Sequence, residues 1–144
     1  MTDAERKQLS ERLAIAAEQA GLSSKLIWNW AEECPQCGQP TDMDITTGTC
    51  GACFCHSALP KVYYDLTNPV YLLPLAEAWR QRRSNERTWI MRSANRYHSF
   101  ALALVWNDPK SELAIEYHHA DAVVALAQAL SVALEGEERA MHHG

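Results

Sequence analysis

Cys34-Pro35-Gln36-Cys37-Gly38 and Cys50-Gly51-Ala52-Cys53 are two Cys-x-x-Cys pairs separated by twelve residues. Two residues between cysteines let a tight turn aim both thiolates at one tetrahedral ion, so the pattern points to one Zn2+ held by Cys34, Cys37, Cys50 and Cys53. Gly38 and Gly51 permit backbone conformations in which N–H groups approach the sulfurs. Cys55, within Cys53-Phe54-Cys55-His56, is the alternative ligand to Cys53; the two-residue gap favours Cys53 and leaves Cys55 a buried or free thiol. Four protein ligands close the coordination shell and leave no position for an activated water, so the expected metal is structural. A redox dithiol is the competing use, but it belongs beside a strand–helix unit of a thioredoxin-like sheet, which the residues around these pairs do not spell out.

A second group is arginine. Arg80, Arg82, Arg83, Arg87, Arg92 and Arg96 fall within residues 80–96 beside a single acid, Glu86; six less one makes the window +5 in a chain of net charge −5. Guanidinium forks suit paired hydrogen bonds to phosphate or carboxylate. Arg83, at an expected helix end, and Arg87 and Arg92, on the next expected strand, are the candidate ligand or partner contacts, because the chain reverses between them. The competing reading is a solvated helix end whose cations are favoured by the helix dipole. Trp28, Trp30, Trp79, Trp89 and Trp106 fit core packing better than ring stacking, with Trp28 the most exposed. His118, His119, His142 and His143 have no partner at ligand spacing and read as solvated. Neither a phosphate-binding glycine loop nor a nucleophile elbow occurs, so a non-enzymatic protein is expected.

The elements that must position these residues follow from local signals. Thr2 with Glu5 is a capping box, and Leu9, Leu13, Ala16, Ala17 and Ala20 recur at helical spacing up to Gly21. Ser23 or Ser24 is expected to cap a second short helix through Trp30 to Glu33. Residues 34–60 have too few large apolar side chains to build a core, and Thr41–Ile45 with Thr46-Thr47-Gly48 reads as the hairpin of a metal-held ribbon. After a linker, Lys61 to Thr67, Asn68-Pro69 starts a helix over about 69–83 carrying Leu72, Leu75, Ala76 and Trp79. Period-two patterns then mark strands at 89–94, at 100–106, where Phe100, Leu102, Leu104 and Trp106 alternate with Ala101, Ala103 and Val105, and at 113–117. Asp121 is expected to cap a last helix with a stripe of Val123, Leu126, Ala127, Leu130 and Leu134, closed by Gly136.

The expected class is α+β: a three-stranded antiparallel sheet flanked by helices, with a four-cysteine zinc ribbon after an N-terminal helical segment. The divisions are 1–33 for the N-terminal helices, 34–60 for the ribbon, 61–136 for an α-β-β-β-α domain and 137–144 for a frayed tail. At 144 residues, 47% hydrophobic and 22% charged, the chain has the composition of one globular domain with a small appendage. The acidic balance argues against a general affinity for nucleic acid while allowing a local basic patch. No apolar run reaches the roughly 18 residues of a membrane span, and Thr2 to Lys7 are mostly charged where a signal peptide is apolar, so a cytoplasmic protein without membrane contact is expected.

Two partial resemblances follow from these residues. The stretch from Cys34-Pro35-Gln36-Cys37-Gly38 through Cys50-Gly51-Ala52-Cys53 to Leu75-Ala76-Glu77-Ala78-Trp79-Arg80-Gln81-Arg82, residues 34–82, resembles the restriction-alleviation (Lar-like) zinc-ribbon proteins of phages and prophages. It departs from them in Cys55 and in a longer gap before the Trp helix. Residues 65–134 resemble the phage ABA-sandwich domain, with its Trp-bearing helix, small sheet and final Ala/Leu helix, here Ala120 to Leu134. The resemblance implies a phage-encoded accessory protein of the host cytoplasm that acts against a host defence, and it supplies no catalytic residues. The functional expectation is a non-enzymatic binding protein that sequesters a nucleotide signal or another phosphate-bearing small ligand, or blocks a host protein. A nucleic-acid-binding zinc-ribbon protein is the alternative.

Overall fold

Thr2 caps the first helix, α1 (Asp3–Gln19), its hydroxyl accepting the Glu5 N–H at 3.2 Å. Leu9, Leu13, Ala16 and Ala17 are buried along one side, and the helix stops where Gly21 takes the left-handed conformation, φ +78°. The computed structural model describes residues 1–30, 43–44, 49–50, 61–106 and 114–143. Its chain divides into two units, Met1–Ile27 with Tyr64–Gly144, and Trp28–Tyr63.

In the larger unit α1 is followed by a 3₁₀ turn, Ser24–Leu26. The chain resumes at Tyr64, whose N–H donates to the Ile27 carbonyl at 3.0 Å. Ser10 of α1 holds the resumed segment: its hydroxyl donates to the Tyr64 carbonyl at 3.2 Å and accepts the Leu66 N–H at 2.9 Å. Asn68 then caps α2 (Pro69–Gln81) by accepting the Val70 N–H. The helix continues through Pro74, which forfeits one backbone rung, because Leu72, Leu75, Ala76 and Trp79 are fully buried on one side.

Strands β5 (Thr88–Arg92), β6 (Ala101–Trp106) and β7 (Ile115–His119) form an antiparallel sheet with β6 in the middle; their numbers leave β1 to β4 for the smaller unit. Asp121 caps α3 (Ala122–His143), its carboxylate accepting the Val123 N–H at 2.9 Å, and the His119 ring accepts the Asp121 N–H. This helix packs on all three strands and also against α1 and α2. Being covered on several sides, it buries Val124, Ala125, Leu126, Ala127, Ala129, Leu130, Ala133 and Leu134, a wider band than the expected stripe, whereas Val123 is half-buried. Arg12 forks onto Glu135 at 2.6 and 2.8 Å, and Arg6 reaches Asp121 at 3.4 Å, tying α1 to α3.

In the smaller unit β1 (Trp28–Trp30) pairs antiparallel with β4 (Lys61–Tyr63), and β2 (Met43–Asp44) with β3 (Thr49–Cys50). The second pair is the hairpin expected between the cysteine pairs. The Lys61 ammonium lies 4.5 Å over the Trp28 ring.

The α+β class and the three-stranded antiparallel sheet with helices match the sequence reading. Three local expectations are corrected. The second helix is only the 3₁₀ turn, because Trp28-Asn29-Trp30 is a period-two, aromatic segment that finds a strand partner. That partner is Lys61-Val62-Tyr63, which therefore is not a linker. The last helix does not close at Gly136: its helical backbone runs on to His143, since the cost of about 1 kcal/mol for a helical glycine is spread against the helix-forming run Glu137–Met141.

Candidate functional site

Cys34, Cys37, Cys53 and Cys55 lie outside the described residues, and of Cys50 the structure describes the strand position opposite Met43. Among the described residues no group of three His, Cys, Asp or Glu side chains could hold a metal. The metal expectation therefore stands on the four-thiolate donor set and the hairpin between its two halves.

The arginine window separates into distinct roles. Arg80 clasps Glu77 of its own helix, and the guanidinium holds that carboxyl below the ordinary carboxylate range. Arg82 donates to the carbonyls of Ala20 and Gly21, closing the C-terminal end of α1, where the helix dipole favours a cation. Arg83 is exposed and pairs with Glu86 at 3.5 Å. Arg87 is 7% exposed; its Nη1 donates to the Trp79 carbonyl at 2.9 Å and its guanidinium stacks 4.9 Å from the Trp79 ring. Burial, and next the charges of Arg83 and Arg82, push its pKa below the usual arginine value. Arg96 lies 4.9 Å over the Tyr97 ring.

Arg92 is different. Within β5, Trp89 and Met91 are the half-buried positions that alternate toward the helices, whereas Thr88, Ile90 and Arg92 are exposed on the other face. The same face receives Leu102, Leu104 and Trp106 from β6, because Ala101, Ala103 and Val105 are the buried side of that strand. It receives Glu116 and His118 from β7. Register places Ile90, Leu104 and Glu116 in one cross-strand row and Arg92, Leu102 and His118 in the next. Among the described residues the Arg92 guanidinium has no ion-pair partner.

Two clefts open along this face. One, of about 470 Å³, lies by Arg80, Glu86, Arg87, Ile90 and Trp106. The other, of about 490 Å³, lies where Arg92, Leu102 and His118 meet the β5–β6 connection, with Tyr97, His98 and Phe100 on its walls. That connection is ordered by Asn95, whose side-chain oxygen accepts the N–H groups of Tyr97 at 2.8 Å and His98 at 3.0 Å. Of the three arginines singled out in the sequence, Arg83 and Arg87 are thus near one another at the end of α2, while Arg92 lines the second cleft. The sequence reading passed over Tyr97 and His98, took Phe100 only as a strand residue and read His118 as solvated. The available signals were Asn95 at the head of a turn and the even-numbered alternation that puts Phe100 and Leu102 on one face and His118 on the matching face of β7.

Compared with family models, curated proteins and solved structures, the chain matches none.

Proposed function

We propose that this chain is a non-enzymatic, phage-type accessory binding protein, in which the sheet face away from α3 receives the ligand or partner. The observation that supports this most is the alternation in β6: the small Ala101, Ala103 and Val105 are buried, while Leu102, Leu104 and Trp106 lie on the other face beside Ile90, which is 37% exposed, and Arg92. A contiguous apolar strip ending in a guanidinium that has no ion-pair partner among the described residues is what a recognition surface needs, apolar area for affinity and a charge for orientation. One structural zinc on Cys34, Cys37, Cys50 and Cys53 would hold the ribbon, supported by the spacing of the pairs and the strand pairing between them. Action against a host defence in the host cytoplasm, by holding a nucleotide signal or a host protein, is supported by the resemblance of residues 34–82 and 65–134 to phage proteins.

The experiment is capture from bacterial lysate with zinc-loaded wild type and with Leu104→Glu, followed by mass spectrometry of the protein and small-molecule fractions. A species held by the wild type and lost from the folded variant is expected. A captured set that does not change between the two refutes the sheet-face reading. Nucleic acid is the second reading, favoured by Tyr97 and Phe100 standing beside Arg92 as stacking platforms. It requires binding that weakens steeply with salt as neutralised phosphates release counterions.

A further inference from the structure

Resting on that reading of the sheet face, we propose that the cleft beside the β5–β6 connection is a mononucleotide site, in which Arg92 and His118 take the phosphate and Tyr97 and Phe100 hold the base. Its volume, about 490 Å³, lies within the roughly 300–1,000 Å³ of small-ligand pockets. The floor is Leu102, and its cross-strand neighbours Arg92 and His118 stand on either side of it. A guanidinium without an ion-pair partner among the described residues and an imidazole across one apolar residue define an anion subsite with a fixed span.

The walls supply the rest of the ligand. Tyr97 is 75% exposed and Phe100 58% exposed, so two rings face solvent beside the anion subsite. Tyr97 already carries the Arg96 guanidinium over its ring, and a base placed on the opposite ring face would extend that stack. Asn95 fixes the turn that presents Tyr97 and His98, which lowers the ordering cost of binding. Ser93 and Ser99 add hydroxyls for a sugar.

The same geometry limits the ligand's charge. Glu116 takes the His118 Nε2 at 3.1 Å, orienting the ring but adding a carboxylate next to the subsite. With one guanidinium in the Arg92 row and one carboxylate in the next, a triphosphate would meet far too little positive charge, and a monophosphate is the nucleotide least disfavoured. A bare anion would leave the two rings unused, and an uncharged aromatic would strip water from Arg92 without replacing it.

The test titrates full-length, zinc-loaded protein by calorimetry with adenosine 5′-monophosphate, adenosine and ribose 5-phosphate. Saturable binding of the monophosphate is expected, with each fragment at least about tenfold weaker because each lacks one half of the site. Arg92→Ala and Tyr97→Ala, both at exposed positions that leave the core intact, should each weaken the monophosphate about tenfold, and Arg83→Ala should leave it unchanged. Absence of saturable binding at millimolar ligand, or full affinity in Arg92→Ala, overturns the assignment. So does an oligothymidylate of about ten nucleotides that binds far more tightly than the monophosphate and loses affinity steeply with salt, which would make the cleft part of a strand-binding surface. If the monophosphate fails while Leu104→Glu still abolishes capture of a lysate species, the cleft assignment falls and the sheet-face reading stands.

Discussion

Replacing Arg87 with alanine tests whether the arginine window is one functional surface or a set of separate roles. The side chain is 7% exposed, donates to the Trp79 carbonyl and stacks on the Trp79 ring. A buried hydrogen bond from a charged donor contributes about 1.5–3 kcal/mol, and the cation–ring contact about 0.5–1 kcal/mol more. Against this, removing the guanidinium relieves its desolvation and its repulsion from Arg83 and Arg82, the causes that depress its pKa. The net expectation is a loss of about 2 kcal/mol. For a domain near this size that corresponds to a fall in Tm of about 5–8 °C, read by far-ultraviolet circular dichroism. Arg87→Met, which keeps the apolar stem and discards the buried charge, should recover much of the loss. Arg83→Ala should shift stability by no more than about 0.5 kcal/mol, its exposed pair with Glu86 being screened by water. Equal stabilities for Arg87→Ala and Arg83→Ala would refute this reasoning, as would a folded Arg87→Ala that loses ligand while keeping the wild-type Tm.

Elemental analysis of freshly purified protein should give one zinc per chain; Cys50→Ser should lose it and Cys55→Ser should keep it, and loss of zinc from Cys55→Ser as well would move the fourth ligand from Cys53 to Cys55. Chelation should remove amide protection in residues 28–63 while α2, α3 and the three-stranded sheet stay protected from hydrogen exchange; one cooperative loss over the whole chain would show that the two units do not fold separately. Ser10→Ala leaves the buried Leu66 N–H without its acceptor and should cost about 1–3 kcal/mol in urea unfolding, with faster exchange at Leu66; an unchanged urea midpoint would mean water replaces the hydroxyl.

Elements set by neighbouring residues were legible in the sequence. Thr2 with Glu5, Asn68-Pro69 and Asp121 each place a helix start where the structure has it, because a cap is a contact across two or three residues. The three strands of the main sheet were legible for the same reason, their alternation being local. What depended on distant partners was not. Trp28-Asn29-Trp30 carries a two-residue period too short to outweigh a nearby serine cap, and its partner at Lys61 lies 31 positions further along the chain. The roles of Arg82 and Arg87 were equally hidden: one caps a helix 61 and 62 positions upstream, the other is buried against a ring eight positions back. Local composition alone made all six arginines look alike. The cleft was illegible as a site because Arg92 and His118 become neighbours of Leu102 only through two strand registers.

The packing of α3 explains why the larger apolar residues of β6 stand on the outer face. Ala125, Ala127, Ala129 and Ala133 on the helix and Ala101 and Ala103 on the strand are all buried, and such small side chains let helix and sheet backbones approach closely. Close approach leaves no room for Leu102, Leu104 or Trp106 on the inner face, where swapping registers by one residue would overpack the core. The inner side of β6 is thus satisfied by small residues, flanked by Trp89 and Met91 from β5, and the larger apolar area on the other side is not needed to cover it. Solubility alone would place polar side chains there, as Thr88 and Glu116 do at its margins. The outward placement of Ile90, Leu102, Leu104 and Trp106 on the face that carries Arg92 is the feature on which the proposed binding face rests. Replacing Leu104 by threonine, which keeps strand propensity but shortens the side chain and adds a hydroxyl, should leave stability within about 0.5 kcal/mol of wild type while weakening whatever the face holds. A large loss of stability instead would mean that the outer face is a second core.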